Sequence, residues 1–144
     1  MNKPFFAITA FILLSGCEPP TSHTLITLAD ARKHPAKLTD IGEAGDSAGD
    51  IVTFDQPLLD KNRQAIGNNS GFCIRTQPGL SFQCQWTLTL DKGSIQVAGK
   101  ELDQGTSYLS IVGGTGIYAR ISGEMQSTNN KDGTFTQTLH YRAP

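Results

Sequence analysis

The stretch Phe82-Gln83-Cys84-Gln85-Trp86-Thr87-Leu88-Thr89-Leu90 has an apolar residue at every even-numbered position and a polar residue at every odd-numbered one. Successive side chains of a β-strand point to opposite faces, so this alternation predicts a strand with one apolar face and one face for water. An antiparallel sheet with one apolar face must close on itself or pack against another layer. We expect the rest of the chain to supply that closure.

Seven further segments have the character of strands, and turn signals such as Pro78-Gly79 and Asp132-Gly133 recur between them at hairpin spacing. These segments are residues 25–28, 51–59, 65–76, 94–100, 108–112, 117–127 and 134–141. A meander of about eight antiparallel strands suits a small closed barrel, because closure removes the exposed sheet edges. The sequence therefore predicts an all-β fold, an eight-stranded antiparallel β-barrel. The polar, Gly-rich residues 30–50 are expected to be irregular.

The first residues read as a secretory leader. Lys3 precedes an apolar run at 5–14 that is too short to span a membrane. The run ends in Leu14-Ser15-Gly16-Cys17, which resembles the bacterial lipobox, so Cys17 is the predicted lipidation site and membrane anchor. The domains are then a signal peptide at 1–16, the lipidated Cys17 and a tether at 17–23, and the barrel at 24–144. A plain secreted protein with an unmodified Cys17 is the alternative.

The localisation expected from this leader is the bacterial cell envelope. Glu18 follows Cys17, and the absence of Asp at that position resembles the default sorting of lipoproteins to the outer membrane. We therefore predict an outer-membrane lipoprotein that faces the periplasm or the cell surface.

The two remaining cysteines, Cys73 and Cys84, lie in an oxidising compartment on this interpretation and are predicted to form a disulfide. Symmetric pairing of a hairpin centred on Pro78-Gly79 sets them opposite each other, on the face that carries Phe82 and Trp86. That face is the predicted barrel interior. Two buried free thiols are the alternative.

Several function classes are disfavoured by composition and spacing. With 12 Lys and Arg against 13 Asp and Glu, the chain has no basic excess for nucleic acid. His23, His34 and His140 are scattered and give no metal-ligand spacing. The Gly-x-Ser-x-Gly pattern at 45–49 lacks the preceding strand and following helix of a hydrolase elbow. We expect no metal and no cofactor.

Four sequence blocks, at 49–55, 67–73, 93–99 and 110–118, resemble the allene oxide cyclase and dirigent-like barrel superfamily in order and spacing. The resemblance implies an eight-stranded barrel with an apolar interior pocket. Plant members are trimers, which implies a homo-oligomer as one possible partner.

The resemblance also implies a pocket, on whose positions Phe54, Cys73 and Phe82 fall. Gln56 stands where an Asn is expected and Glu101 where a Tyr is. The first-strand acid of the cyclases has no match, since Ala29 occupies its place with Asp30 adjacent. Of the charged residues in dirigent pockets, Asp55 is similar to one acid, while Gln56, Ile117 and Ser122 stand at other charged positions. The candidate ligand-binding residues, combining this resemblance with the inward face of the 82–90 strand, are Phe54, Gln56, Cys73, Phe82, Trp86, Leu88 and Glu101.

The leading functional hypothesis is a lipid-anchored barrel that binds a small apolar ligand and is not a catalyst. The alternative is a cyclase-like, isomerase-like or dirigent-like enzyme acting on a lipid-derived or phenolic molecule, which would need an acid inside the pocket. A second alternative is a structural or interaction module of the envelope.

Overall fold

The alternating segments form long antiparallel strands in the computed structural model, which describes residues 21–143. The strands are β1 (Thr21–Asp30), β2 (Lys37–Thr39), β3 (Ile51–Leu59), β4 (Ala65–Gln77), β5 (Ser81–Leu90), β6 (Gly93–Leu102), β7 (Thr106–Gly114), β8 (Ser122–Asn129) and β9 (Thr134–Ala143). A single turn of 3-10 helix, Gly116–Tyr118, precedes β8. Among the described residues, no helix is long and apolar enough to cross a membrane.

The strands close into a barrel. Neighbouring strands pair in the order β1-β9-β8-β7-β6-β5-β4-β3-β2, and β1 also pairs with β3 through Leu28 opposite Leu59 and Ala29 opposite Leu58. That second pairing joins the two sides of the sheet, so eight long strands form a closed ring and β2 lies outside it on β3. The predicted eight-stranded antiparallel barrel is confirmed.

Two local predictions need correction. The segment 117–127 was expected to be extended throughout, but β8 begins only at Ser122. Gly116 and Arg120 have φ angles of 60° and 63°, which interrupt an extended backbone and turn the chain before β8. The irregular segment 30–50 also contains the short strand β2.

The N-terminal predictions fall mostly outside the described residues. Cys17 and the proposed signal peptide are not among them. Strand β1 begins at Thr21, three residues before the expected start of the barrel domain.

The disulfide between Cys73 and Cys84 is confirmed. The two residues are direct partners in the β4–β5 register, as predicted. The turn itself needs correction, because the connection comprises residues 78–80 and a register shift between Arg75 and Gln77 restores the expected pairing. Both are buried, and they lie on the inward face together with Trp86. The period-two pattern of β5 therefore sets both the interior of the barrel and its covalent link.

The two ends of the barrel differ. At the end where β1 starts and β9 ends, the interior is filled by side chains with no exposed surface, and we call this the packed end. These side chains are Leu58, Leu88, Ile95, Met125 and Leu139. The opposite end is formed by the segment 31–50 and the connections 78–80, 103–105 and 130–133, and we call it the cavity end.

Candidate small-molecule site

A cavity of about 290 Å³ occupies the barrel interior at the cavity end. Its apolar wall consists of Ala29, Ala36, Val52, Phe54, Cys73, Phe82, Trp86, Leu102 and Phe135. Its polar wall consists of Gln56, Asn69, Glu101, Asp103, Ser127, Asn129 and Gln137. Small-molecule sites of proteins are typically mostly apolar clefts of roughly 300–1,000 Å³ with a few placed polar groups. This cavity lies at the lower limit of that range.

Aromatic side chains give the cavity its shape. The Phe54 and Trp86 rings meet edge to face, with centroids 5.9 Å apart and planes at 71°. Trp86 lies directly opposite Gly71 in the β4–β5 register, and a Cβ on Gly71 would overlap the backbone of β5 at Gln85 and Trp86. The absence of a side chain at Gly71 therefore leaves the room that Trp86 needs, and the two rings give the cavity aromatic surfaces.

Glu101 is the ionisable group set most deeply in this wall. Its Oε1 accepts a hydrogen bond from the Ser127 hydroxyl at 2.9 Å. Its Oε2 is buried and has no hydrogen-bond partner among the residues described. Burial raises the pKa of Glu101 from its ordinary value of 4.5 to about 7, although the hydrogen bond from Ser127 opposes the shift. Near neutral pH the carboxyl therefore exists in both protonation states, and it can act as a proton donor or a proton acceptor.

Three uncharged side chains form a hydrogen-bonded series in the barrel interior, and two of them, Asn69 and Gln137, line the cavity. The Thr27 hydroxyl donates to Gln137 Oε1 at 3.1 Å, and Gln137 Nε2 donates to Asn69 Oδ1 at 3.3 Å. All three residues are buried. These side chains use most of their hydrogen-bonding capacity on one another. They therefore place polar atoms in the cavity wall without adding charge.

Arg75 contacts several of the segments that form the rim of the cavity at the cavity end. Its guanidinium lies 3.6 Å from the centroid of the Phe82 ring and pairs with Asp103 at 2.7 Å and with Asp46 at 2.6 Å. Asp103 lines the cavity, whereas Asp46 belongs to the segment 31–50. The arginine therefore links β4 to two rim segments and fixes the shape of the cavity entrance.

The structure brings six of the seven candidate residues together in one cavity wall: Phe54, Gln56, Cys73, Phe82, Trp86 and Glu101. Leu88 is the exception. It points inward as predicted but is fully buried among the packed-end side chains and does not line the cavity. Ala29 lines the cavity at the place of the missing first-strand acid, while the adjacent Asp30 pairs with Arg32 outside it.

Sequence reasoning missed Asn69, Ser127 and Gln137. Gln137 shares the inward parity of Phe135 and Leu139 on β9, so alternation alone could have identified it. Ser127 carries no such signal, because its importance comes from the contact with Glu101 across 26 residues of chain. Among the described residues, no group of His, Cys, Asp and Glu is arranged to hold a metal ion.

Comparison with known families gives a direct match. The sequence profile of the dirigent-like protein family matches residues 20–143. The chain belongs to the dirigent-like family. No functionally curated protein matches it.

Several solved structures share this fold over most of the chain. A pyocyanin demethylase is 25% identical, with a TM-score of 0.70, over 84% of this chain and 99% of that one. The pterocarpan synthase dirigent protein GePTS1 is 14% identical, with a TM-score of 0.70, over 96% and 97%. The exo-specific intermolecular Diels-Alderase AbnU is 15% identical, with a TM-score of 0.70, over 88% and 100%. At the identity of the last two, the likeness concerns the fold alone.

Proposed function

We propose that this dirigent-like barrel binds one small, flat, mostly apolar molecule in its cavity, with Glu101 as the main polar contact. The observation that carries the proposal is a preformed apolar cavity with a buried carboxyl group in its wall. The Phe54 and Trp86 rings favour a planar ligand, because aromatic faces and edges pack best against other rings. The pyocyanin demethylase that shares 25% identity is named for action on a small molecule, which agrees with this use of the fold.

A second candidate function is catalysis of a proton transfer on the bound molecule. The enzyme hypothesis required an acid inside the pocket, and Glu101 meets that requirement with a pKa of about 7. A positioned acid or base with a pKa near the working pH contributes about 10²–10⁴-fold to a rate. In this function Glu101 would protonate or deprotonate the ligand, while the aromatic wall holds it in place.

Filling the cavity should weaken binding. Val52 lines the cavity, and we expect Val52→Phe to weaken binding of the flat probe 1,4-naphthoquinone by about tenfold or more, since the added ring occupies ligand space. Trp86 is the only tryptophan of the chain and lies in the wall, so quenching of its fluorescence measures occupancy directly.

The matched control is Val112→Phe, because Val112 is 54% exposed on β7 and does not line the cavity. This variant should bind the probe as the native chain does. Equal affinities in all three proteins, or no saturable quenching in any of them, would contradict binding in the cavity.

The barrel is held at the bacterial cell envelope by a lipid on Cys17. Support comes from the lipobox-like Leu14-Ser15-Gly16-Cys17 and from the match of the family profile, which begins only at residue 20. In a Gram-negative host fed a clickable palmitate analogue, we expect the native chain to be labelled and Cys17→Ser to be unlabelled. Ser15→Ala keeps a small residue before the cysteine and should retain the label. Labelling of the Cys17→Ser chain would refute the anchor.

A further inference from the structure

The connections at the packed end carry exposed basic side chains all round the ring. The order of the strands places the β3–β4, β5–β6 and β7–β8 connections and the end of β9 at four successive positions around this end. Each position has at least one exposed basic residue. These residues are Lys61, Arg63, Lys92, Arg120 and Arg142. We call this set the basic ring.

Few acids oppose the basic ring. The acidic residues at the same end are Asp60, Asp91 and Glu124. Asp60 is engaged by its own turn, where its Oδ1 accepts the backbone N–H groups of Asn62 at 2.8 Å and Gln64 at 2.9 Å. Within residues 21–143, no member of the basic ring forms a salt bridge. These cationic groups are therefore exposed to solvent and can contact a partner of opposite charge.

The cavity end has the opposite character. Its connections carry more acids than bases, so a positive field is confined to the packed end. With the strand ends included, the acids are Asp30, Asp40, Glu43, Asp46, Asp50, Glu101, Asp103 and Asp132, against Arg32, Lys33, Lys37, Arg75, Lys100 and Lys131. A chain with a formal charge of -1 thus separates its charge along the barrel axis.

Two members of the basic ring occupy costly backbone positions. Arg63 and Arg120 have φ angles of 62° and 63°, in the left-handed region where Gly or Asn is favoured. Lys131, at the cavity end, has a similar φ of 62°. Glycine fills other positive-φ positions of the packed end, such as Gly116, but at Arg63 and Arg120 a long cationic side chain stands where glycine would be conformationally easier.

An exposed apolar residue lies within the basic ring. Ile117 is 61% exposed, and its backbone N–H donates to the carbonyl of Lys92 at 3.1 Å. It is three residues from Arg120 in the same connection. An exposed apolar side chain among cations fits the boundary between lipid headgroups and acyl chains, whereas a purely hydrophilic polyanion would offer it no partner.

We propose that the packed end of the barrel rests on an anionic lipid surface, with the basic ring contacting headgroups and Ile117 entering the interface. Strand β1 starts at this same end, so a chain anchored ahead of Thr21 reaches the barrel on the membrane side. The cavity then opens away from the bilayer, toward the aqueous compartment from which a small molecule would arrive. This surface interaction is independent of what the cavity binds.

Charge reversal at the two ends tests the proposal. The chain beginning at Glu18, which lacks the apolar leader and the acylation site but contains the whole closed barrel, is mixed with vesicles of phosphatidylcholine and phosphatidylglycerol and with vesicles of phosphatidylcholine alone. On this background, Lys92→Glu with Arg120→Glu reverses two charges of the basic ring. Lys33→Glu with Lys131→Glu reverses two exposed charges at the cavity end, and Lys131 matches Arg120 in its left-handed backbone.

We expect the packed-end pair to lower partitioning onto the anionic vesicles by about tenfold or more, and the cavity-end pair to lower it less than about threefold. Added salt should weaken binding of the unreversed chain. Ile117→Ser should also reduce partitioning, whereas Val112→Ser, at an exposed apolar site on β7, should not. Equal losses from the two pairs, equal binding to neutral vesicles, or no effect of Ile117→Ser would each overturn the proposal.

Discussion

Gly71→Val is expected to prevent formation of the native barrel. A Cβ on Gly71 would overlap Gln85 O and Trp86 Cβ and would lie 2.6 Å from Trp86 Cα. The obstructing atoms belong mainly to the backbone of β5, so they cannot move without breaking the β4–β5 pairing next to the disulfide. We expect a loss of more than about 4 kcal/mol in the free energy of unfolding, above the roughly 1–3 kcal/mol typical of an overfilled core, because backbone atoms cannot repack as side chains do.

Gly113→Val is the matched control for this substitution. Gly113 also lies in a strand, its φ is not positive, and a Cβ there would meet no atom within 4 Å. Urea unfolding followed by Trp86 fluorescence should show a near-native midpoint for Gly113→Val and little or no folded protein for Gly71→Val. Similar midpoints would mean that Trp86 does not lie against Gly71, and the proposed cavity wall would then be wrong.

The fold was predictable because its main determinant is local. The alternation of β5 can be read from nine consecutive residues, and it sets which side chains face the interior. The pairing of Cys73 with Cys84 was expected from a turn at Pro78-Gly79, and the disulfide confirms the pairing, although it depends on a three-residue connection and a compensating register shift between Arg75 and Gln77. Parity in one strand and one turn therefore placed Phe82 and Trp86 in the barrel interior.

The boundary between core and cavity could not be predicted in the same way. Trp86 and Leu88 have the same parity and are two residues apart, yet only Trp86 lines the cavity. The difference depends on the other strands, which bring Leu58, Ile95 and Leu139 to the packed half. The volume that side chains fill at one level of a barrel is a sum over all its strands, and no single segment contains that sum.

The turn before β8 was misread for a related reason. The segment 117–127 was expected to be one continuous strand. The backbone instead turns at Gly116 and Arg120, and arginine gives no sequence signal for a left-handed conformation. The same unexpected arginine is one of the residues that define the basic ring.

The pH dependence of the free energy of unfolding, compared between the native chain and Glu101→Gln, should show whether the Glu101 carboxyl is buried with a raised pKa. The folded-state pKa of Glu101 is raised from 4.5 to about 7, so the folded protein holds this proton over a pH range in which the unfolded chain has released it. The native chain therefore loses stability as the pH rises from about 4.5 through about 7. Above that range, keeping the ionised carboxylate buried costs on the order of 3 kcal/mol.

Glutamine has nearly the same shape and no charge, and its amide oxygen can still accept from Ser127. We expect Glu101→Gln to raise the free energy of unfolding by on the order of 3 kcal/mol at about pH 8, with no gain at about pH 4. Urea titrations at the two pH values measure the difference. Glu124→Gln removes an exposed carboxylate from the outer face of β8 and should give no comparable dependence.

The same variant distinguishes the two proposed functions. A binding protein should keep its affinity for 1,4-naphthoquinone in Glu101→Gln, because the amide can still donate a hydrogen bond to a carbonyl oxygen. An enzyme that moves a proton through Glu101 should bind its ligand and lose turnover, because glutamine cannot accept or release a proton. A stability gain of equal size at both pH values would show that Glu101 is not buried with a raised pKa, and the polar contact assigned to it would then have to come from Gln56, Asn69 or Gln137.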